Sequence, residues 1–372
     1  MQRIRTYIHE QNDWPNFKWK DEALIELLGK VRYLQGKLLG KMENLGFDLQ
    51  SEANLNTLTI DILTSNEIEG EIFKSEEVRS SLARRLGLEI AGLVSSDRDV
   101  DGVVEMMLDA IQKNKNSLTE DRLFGWHAAM FPGGRSGLYK IMVGEYRDDT
   151  LGAMQVVSGG MGREKVHYEA PAADRIEKEM QQFLKWFNQN QDIDSVLKAG
   201  IAHFWFITIH PFDDGNGRMA RALTDMLLTR ADGISQRFYS MSAQIREERK
   251  GYYAILEKSQ KKSLDITDWL VWFLECLLNA LKASEILLEK VLIRHEFWIR
   301  HAATALNPRQ ILILQKLLDH FLGKLTTAKW AKMTKCSKDT ALRDIQDLME
   351  KGILKREDGG RSTNYELIMN KD

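Results

Sequence analysis

The sequence is poor in the residues that mark secreted or extended proteins. Its 372 residues include only two cysteines and five prolines. Cys276 and Cys336 lie far apart in the sequence, so they form neither a disulfide framework nor a cysteine zinc site. The low proline content and a hydrophobic share of 43% exclude collagen-like and disordered chains. Together these features favour a helix-rich globular protein in a reducing cytoplasm.

The sequence also lacks a strong net charge and a long hydrophobic run. A formal charge of -2 gives no overall electrostatic signal for nucleic-acid binding. The most apolar stretch, residues 269–281, is interrupted by Glu275 and Asn279 and lacks the roughly 20 apolar residues of a membrane span. The first ten residues turn polar before the core of a signal peptide develops. We therefore expect a cytoplasmic protein without membrane contact.

Apolar residues recur at helical spacing along most of the chain, which predicts an all-α class. The exception is the segment 144–168, where glycines separate short β-prone runs and predict a small β-hairpin. Pro308 ends a long helical pattern, so a last domain is expected from residue 306. The predicted helices cover residues 24–38, 52–70, 100–112, 121–131, 172–188, 195–207, 218–230 and 267–301, and the whole segment 231–305 is expected to contain only helices.

The strongest chemical signal is the segment 210–221, His-Pro-Phe-Asp-Asp-Gly-Asn-Gly-Arg-Met-Ala-Arg, between two apolar helices. Gly215 and Gly217 can adopt backbone angles that turn successive N–H groups toward one anion. The helix that begins at about Arg218 adds the positive end of its dipole. Arg218 and Arg221 are three residues apart on one helix face, and both can fork onto phosphate oxygens. The segment therefore predicts a site for more than one phosphate.

Two further side chains in this segment suit the transfer of a phosphate-linked group. Asp214 offers a hard carboxylate of the kind that Mg²⁺ accepts beside the phosphates of a nucleotide. The imidazole of His210, at the start of the loop, can remove a proton from an incoming hydroxyl. The residues therefore predict a transferase that acts on a nucleotide with its metal.

At every defined position this segment resembles the signature of the Fic family, His-Pro-Phe-x-Asp-Gly-Asn-Gly-Arg-x-x-Arg. The resemblance implies a helical core that binds ATP and Mg²⁺ and transfers AMP to a Tyr, Thr or Ser hydroxyl of a protein, which could be the chain itself. Glycine at position 217 favours AMP transfer, because the related branch that phosphorylates its target has lysine there. The implied roles are general base for His210, metal ligand for Asp214, α-phosphate binding for Asn216 and the backbone of Gly215 and Gly217, clamps on the other phosphates for Arg218 and Arg221, and a core anchor for Phe212.

Two other segments resemble parts of the same family. The run Ser65-Asn-Glu-Ile-Glu69-Gly70 resembles its inhibitory pattern, in which the glutamate pairs with the second arginine of the signature, here Arg221. Because Ser65 and Glu69 are four residues apart, they share one face of a continuous helix. We therefore expect autoinhibition by Glu69. The hairpin at 144–168 resembles the family's flap, which pairs with an extended segment of the target protein.

The C-terminal residues resemble a winged helix-turn-helix, with Trp330 in the core, Ser337 as a helix cap and a wing at residues 358–362. Residues 306–372 contain 13 Lys and Arg against 9 Asp and Glu, a moderate basic excess. DNA and a protein remain open as partners of this domain. The predicted domains are thus an N-terminal helical extension (1–50), a catalytic domain (51–305) with its inhibitory helix near 52–70, and the winged helix (306–372).

Three other readings remain open. The chain could be an inactive Fic fold, a DNA-binding regulator whose Fic domain senses a nucleotide, or an enzyme that removes AMP from modified proteins. The intact His210 favours AMP transfer over sensing, because a sensor needs the arginine clamps but has no need of the base. A homodimer is also open.

Overall fold

A computed structural model of the chain describes residues 7–88, 92–150, 152–159, 165–190, 192–261, 263–319, 323–357 and 363–368. Over these residues the chain forms 14 α-helices and three two-stranded antiparallel sheets, which confirms the predicted helical class. Two compact units are present, Met1–Ser284 and Glu285–Asp372. The predicted domain limits, including the start of the last domain at residue 306, stay predictions. None of the helices in the described part of the chain has the length and apolar character needed to cross a bilayer.

The first unit is a helical body with two small hairpins, and α11 (Thr267–Arg300) continues from it into the second unit. Its helices and strands, in chain order, are α1 (Asp21–Glu43), α2 (Phe47–Ile68), α3 (Ser75–Leu86), α4 (Arg98–Gln112), α5 (Glu120–Met130), β1 (Arg135–Ser136), β2 (Tyr139–Lys140), β3 (Gln155–Ser158), β4 (Lys165–Glu169), α6 (Ala173–Asn188), α7 (Ser195–Ile209), α8 (Asn216–Asp232), α9 (Met241–Glu247) and α10 (Arg249–Gln260).

The helices α7 and α8 pack side by side at the centre of this unit. Asp194 caps the start of α7 by accepting from the N–H of Val196 at 2.7 Å. Every residue of α7 from Val196 to Ile209 except Lys198 is buried, as expected for a helix that is apolar all round. Gly200 lies so close to α11 that a Cβ there would be 2.9 Å from the ring of Phe273. This tight packing fixes both helices that flank the signature segment.

The helix α2 packs against α3, α8 and α9, which places its C-terminal end beside the start of α8. Buried Asp61 ties α2 to the body, because its carboxylate accepts from the Ser240 hydroxyl and from the Ser242 N–H at 3.3 Å. The helix begins at Phe47, five residues earlier than predicted, and ends at Ile68. The predicted inhibitory residues therefore lie at the end of a firmly anchored helix.

The second unit has the helix-turn-helix order that the sequence predicts. Its elements after α11 are α12 (Pro308–Asp319), α13 (Thr327–Thr334), α14 (Lys338–Glu350), β5 (Leu354–Glu357) and β6 (Asn364–Leu367). Ser337 caps α14 by accepting from the N–H of Thr340 at 3.1 Å, and Trp330 is fully buried; both confirm predictions. The predicted wing at residues 358–362 lies outside the described residues.

The predicted hairpin within 144–168 is narrower than expected. Its paired strands are β3 and β4, with a bulge between Val156 and Val157. The chain also contains a short hairpin of β1 and β2 and the helices α3 and α12, which the sequence analysis did not predict. The two-residue strands at 135–140 carry too few residues for an alternating pattern to be visible.

Candidate active site

The loop between α7 and α8 starts from a strained backbone position. His210 adopts a left-handed conformation with φ of 53°, which is uncommon for a non-glycine residue. Arg147, which is 3% exposed, holds this turn: its Nε donates to the His210 carbonyl at 2.8 Å, and its backbone N–H donates to the Pro211 carbonyl at 3.0 Å. A second guanidinium nitrogen donates to the Pro171 carbonyl at 2.6 Å. Arg147 thus fixes the entry to the loop.

The His210 imidazole is oriented as a proton acceptor. Its Nδ1 lies 3.2 Å from the Ile207 carbonyl, and because a carbonyl only accepts, Nδ1 must carry the proton. Nε2 is therefore the nitrogen with the free lone pair. Burial, assisted by the nearby charge of Arg147 and opposed by the hydrogen bond to Ile207, lowers the pKa of His210 to about 4. At neutral pH the ring is uncharged and can accept a proton.

The interior of the loop is closed by Phe212 and Asn216. Phe212 is fully buried and stacks on the ring of His127 at a centroid distance of 4.4 Å. The Asn216 amide accepts from the Phe212 N–H at 3.0 Å and donates to the Phe212 carbonyl at 2.7 Å. His127 in turn donates from Nε2 to the Asp214 carbonyl at 3.2 Å and accepts from the Gly144 N–H at 3.2 Å. These bonds preform the loop.

Asp214 presents a partly exposed carboxylate at the mouth of the site. One oxygen accepts from the Gly215 N–H at 2.6 Å, and the other accepts from the Ser136 hydroxyl of the β1–β2 hairpin. The latter oxygen also lies 3.8 Å from the Arg218 guanidinium. Among the described residues no cluster of three or more metal-ligating side chains occurs. A cation at Asp214 would therefore need further ligands from a bound nucleotide or from water.

The start of α8 has the geometry of an anion site. Gly215 precedes the helix with a φ of 81°, which a residue with a side chain would adopt only under strain. The helix begins at Asn216, two residues earlier than predicted. The first N–H groups of an α-helix have no partner within the helix, and the helix dipole adds positive potential at the same end. Phosphate binding at this end is chemically favoured.

The two arginines of the signature are buried and already hold carboxylates. Arg221, 1% exposed, donates from Nε to the Ser65 hydroxyl at 2.8 Å and from one terminal nitrogen to Glu69 at 2.7 Å. That same nitrogen lies 2.9 Å from the Ser65 carbonyl. Arg218, 2% exposed, donates to Glu71 at 2.6 Å and lies over the ring of Phe131 at 4.9 Å. Glu69 and Glu71 therefore occupy the two guanidinium groups that the sequence predicts to bind phosphates.

The turn after α2 explains how two carboxylates reach two arginines. Gly70 is left-handed with a φ of 89°. Its N–H bonds to the Glu67 carbonyl at 3.1 Å, and the Glu71 N–H bonds to the Asn66 carbonyl at 3.0 Å. This is the Schellman arrangement that ends many helices. It reverses the chain, so Glu69 and Glu71 lie beside α8 although neither is within the helix.

Gly217 lies where the Glu69 carboxylate approaches α8. A Cβ built on Gly217 would lie 2.1 Å from Oε1 of Glu69 and 3.2 Å from a terminal nitrogen of Arg221. Only glycine leaves room for the Glu69 carboxylate in this position. In this conformation the packing against Glu69 therefore requires glycine at position 217, in addition to the backbone freedom that the sequence predicts there.

The structure brings all nine predicted site residues together at the junction of α2, the signature loop and α8. They are Ser65, Glu69, His210, Asp214, Gly215, Asn216, Gly217, Arg218 and Arg221. Sequence reasoning missed the partner of Arg218, which is Glu71, and three residues that position the loop, namely His127, Ser136 and Arg147. Glu71 stands two residues after Glu69 and could have been found from that position. The other three had no local signal, because they lie more than 60 residues before the loop.

Comparison with known proteins assigns the central region. Residues 117–228 match the model of the Fic/DOC family. The chain carries a Fic/DOC domain. Residues 7–88 match a domain of unknown function, DUF4172, ahead of the Fic domain, and residues 309–366 match the DeoR-like helix-turn-helix domain.

Relatives of the Fic domain are enzymes by name. The protein adenylyltransferases Fic of Drosophila grimshawi and Drosophila mojavensis are each 30% identical to this chain over 132 residues, 34% of the chain. The match spans only about a quarter of their own length, 26% and 25%. It therefore concerns the Fic domain and not the whole proteins.

Solved structures share the fold. A Fic family protein of Desulfovibrio desulfuricans G20 aligns over 94% of this chain and 97% of its own, with 21% identity and a TM-score of 0.50. A Fic domain-containing signaling protein of Bacteroides thetaiotaomicron aligns over 68% of this chain and 96% of its own, with 20% identity and a TM-score of 0.51. At these identities the likeness concerns the fold alone.

Proposed function

We propose that this chain is a protein adenylyltransferase, which transfers AMP from ATP to a protein hydroxyl. We also propose that Glu69 of the same chain inhibits this activity. The observation that carries the proposal is the Arg221 guanidinium, which is buried and bonded to Ser65 and Glu69. A buried arginine aimed at a helix N-terminus suits a phosphate, and here a carboxylate takes the place of that phosphate. The neutral His210 in the same loop supplies the base that a mere nucleotide sensor would not need.

In the proposed reaction the triphosphate of ATP binds at the start of α8, with Arg218 and Arg221 on its outer phosphates. Asp214 would hold Mg²⁺ together with phosphate oxygens, and the ion would neutralise charge on the phosphates. Nε2 of His210 takes the proton of the target hydroxyl as its oxygen attacks the α-phosphorus. The bond from the α-phosphorus to the bridging oxygen breaks, and pyrophosphate leaves.

We propose a different role for the Asn216 side chain from the α-phosphate binding that the family resemblance implies. Both polar groups of its amide bond to the backbone of Phe212, and the residue is 2% exposed. We therefore assign its side chain to holding the loop in shape. The α-phosphate would then meet chiefly the N–H groups of the loop and of the first turn of α8.

The inhibition acts by competition for the arginines. With Glu69 in place, the outer phosphate of ATP loses the Arg221 clamp and meets a carboxylate of like charge. Glu71 does the same at Arg218. We propose that the pair lowers productive ATP binding, and that a partner or a change in α2 must withdraw the carboxylates before transfer.

The decisive experiment uses wild type, Glu69→Gly and Glu69→Gly/His210→Ala with Mg²⁺ and ATP labelled at the α-phosphate, repeated with γ-label. The proposal requires that Glu69→Gly incorporates α-label but not γ-label into protein, and that the His210 change abolishes it. Equal labelling of wild type and Glu69→Gly would remove the inhibitory role. Incorporation of γ-label would replace AMP transfer by phosphorylation.

The helix-turn-helix match at residues 309–366 supports a second candidate function, that of a DNA-binding regulator whose Fic domain senses a nucleotide. A gel-shift assay on genomic fragments distinguishes the two, because a regulator gives sequence-specific shifts that respond to ATP and survive His210→Ala. A protein partner of this domain, a homodimer and a cytoplasmic location stay predictions. AMP removal from modified proteins stays the alternative reaction at the same site.

A further inference from the structure

A pair of buried carboxyl groups joins α2 to α8. Asp61 on α2 is 4% exposed and Asp225 on α8 is 1% exposed, and their side chains are within hydrogen-bond distance of each other. Burial first, and then the charge of Asp61, raises the pKa of Asp225 well above its ordinary value, against the opposing charge of Arg237. Two ionised carboxylates at this separation would repel each other strongly in the low dielectric of the interior.

The hydrogen bonds of the two groups leave one oxygen of each without a donor. Oδ1 of Asp61 accepts from the Ser240 hydroxyl and from the Ser242 N–H at 3.3 Å. Oδ1 of Asp225 accepts from the Arg237 guanidinium at 2.7 Å. Oδ2 of each group is buried and has no donor among the residues that the structure describes. A single proton between the two groups gives both Oδ2 atoms a partner, one as donor and the other as acceptor.

The surroundings of the pair supply less positive charge than the carboxyl groups carry. Buried Arg237 serves two of these groups, because it bonds to Asp225 at 2.7 Å and to Asp232 at 3.3 Å. Tyr239, which donates to Asp232 at 2.8 Å, is neutral, and α9 adds neutral hydroxyl and N–H donors to the pair. Arg32, the other guanidinium that acts on Asp232, is partly exposed and already holds the carboxylate that caps α7. In the described part of the chain, the pair and Asp232 thus share one buried guanidinium.

The pair lies in the same interface between α2 and α8 as the contact that occupies Arg221. Asp225 is one helical turn after Arg221 on α8, and Asp61 is one turn before Ser65 on α2. Arg221 donates to the Ser65 hydroxyl at 2.8 Å. The helices therefore meet first through the carboxyl pair and, one turn further along, through Ser65 and Arg221. Glu69 follows after one more turn of α2, so a separation of the helices at the pair also displaces Glu69.

We propose that Asp61 and Asp225 share one proton, which holds α2 against α8, and that the loss of this proton at rising pH releases α2 and withdraws Glu69 from Arg221. The proposal rests on the proposed inhibition by Glu69. While the proton is present, one carboxyl group donates to the other. When the proton passes to solvent, two adjacent buried carboxylates remain and repel each other. Separation of the helices then lets water reach both groups.

Rising pH favours the released state because that state binds fewer protons. A carboxyl group in water has a pKa of about 3.9, whereas the pKa of Asp225 in the closed pair is raised. Between these two pKa values, each pH unit shifts the equilibrium toward release by up to about tenfold. Above the raised pKa the shift levels off, because both states have then lost the proton.

The test uses full-length Asp61→Asn, with Asp225→Asn as a second variant. In either variant a side-chain amide donates to the remaining carboxylate, so the contact needs no proton. Asp232→Asn is the matched control, because the partners of this buried carboxyl group lie on α1 and after α8 and not on α2. Calorimetry gives the dissociation constant of ATP from about pH 5.5 to about pH 8.5. Dividing it by the value for Asp61→Asn at each pH removes the titration of ATP itself.

The two amide variants should bind ATP weakly at every pH, as wild type does at low pH. Wild type and Asp232→Asn should bind ATP more tightly as the pH rises, by up to about tenfold per pH unit relative to Asp61→Asn. Infrared difference spectra of the chain without ATP should show the carbonyl band of a protonated carboxylic acid in wild type at low pH and not in Asp61→Asn. This band should fade over the same pH range in which ATP binding tightens.

Three results would overturn the inference. If Glu69→Gly binds ATP tightly while the ratio of wild type to Asp61→Asn stays constant with pH, the inhibition stands and the proton clamp fails. If wild type shows no acid band that Asp61→Asn lacks, the two carboxyl groups share no proton. If Glu69→Gly binds ATP no better than wild type at any pH, the proposed inhibition and this inference fail together.

Discussion

Releasing Arg218 as well as Arg221 should activate the chain further than releasing Arg221 alone. The perturbation is Glu71→Ala placed in the Glu69→Gly chain. Glu71 lies 2.6 Å from Arg218, as close as Glu69 lies to Arg221 at 2.7 Å. A chain that has lost only Glu69 therefore still has a carboxylate on Arg218, one of the two arginines proposed to bind the phosphates of ATP. We expect the double variant to bind ATP more tightly and to label faster than either single variant.

The two contributions differ in size because the two carboxylates differ in exposure. Hydrogen bonds to charged groups contribute about 1.5–3 kcal/mol, which corresponds to about 10- to 150-fold in the dissociation constant of a competing ligand. The Glu69 side chain is 27% exposed against a buried arginine, so this range applies to it. The Glu71 side chain is 39% exposed, and solvent screening reduces its effect to about 1 kcal/mol, or about fivefold.

The assay measures the dissociation constant of ATP by calorimetry and the rate of α-label uptake in wild type, both single variants and the double variant. Glu67→Ala is the matched control, since Glu67 lies at the same end of α2 but pairs with Arg246. We expect this control to behave like wild type. The reasoning is refuted if Glu71→Ala adds nothing to Glu69→Gly, or if Glu67→Ala activates as strongly as Glu69→Gly.

Three further predictions concern the stability of the body and the shape of the loop. Burial lowers the pKa of His9 and His127 to about 4 and that of His203 to about 3. Below pH 6.5 the unfolded chain therefore binds more protons than the folded chain. As the pH falls from 6.5 to 4, the free energy of unfolding should decrease by up to about 1.4 kcal/mol per pH unit for each ring. Urea titrations at pH 7, 6 and 5 measure this decrease, and an unchanged unfolding midpoint over this range would contradict the prediction. Arg147→Lys should leave ATP binding unchanged but slow transfer at least about tenfold, because a lysine ammonium cannot bond to the His210 and Pro171 carbonyls in the geometry of the guanidinium. Calorimetry measures the ATP binding and single-turnover labelling measures the transfer rate. A transfer rate equal to that of wild type would contradict the prediction. Gly102→Ala should lower the melting temperature strongly, because the added Cβ would lie 1.7 Å from the Ala129 carbonyl, whereas Gly125→Ala on α5, with open space around it, is the control.

Most of the helical body could be predicted from periodicity, because long amphipathic and apolar helices repeat their pattern over many residues. The short β1–β2 hairpin and α3 were not predicted. Two-residue strands show no alternation, and α3 has only four apolar residues among its twelve, so its helical pattern is weak. The start of α2 was placed five residues late, since helix boundaries depend on caps and tertiary contacts more than on local preference.

In the candidate site, too, the features encoded by neighbouring residues could be predicted and those that depend on the folded backbone could not. The residues of the signature segment are consecutive, so their types and spacing alone predicted a phosphate site with a base beside it. The Glu69 pattern was also local. The Glu71–Arg218 pair depends on the left-handed turn at Gly70, which the sequence permits but does not require.

What the sequence by itself determined is the set of reactive side chains in the loop, because an imidazole, a carboxylate, glycines and arginines all fall within twelve residues. Only the tertiary structure decided which groups hold that loop and which side chains occupy its arginines. Arg147, His127 and Ser136 reach the loop across more than 60 residues. Such contacts depend on how helices pack in space, and no spacing along the chain encodes them.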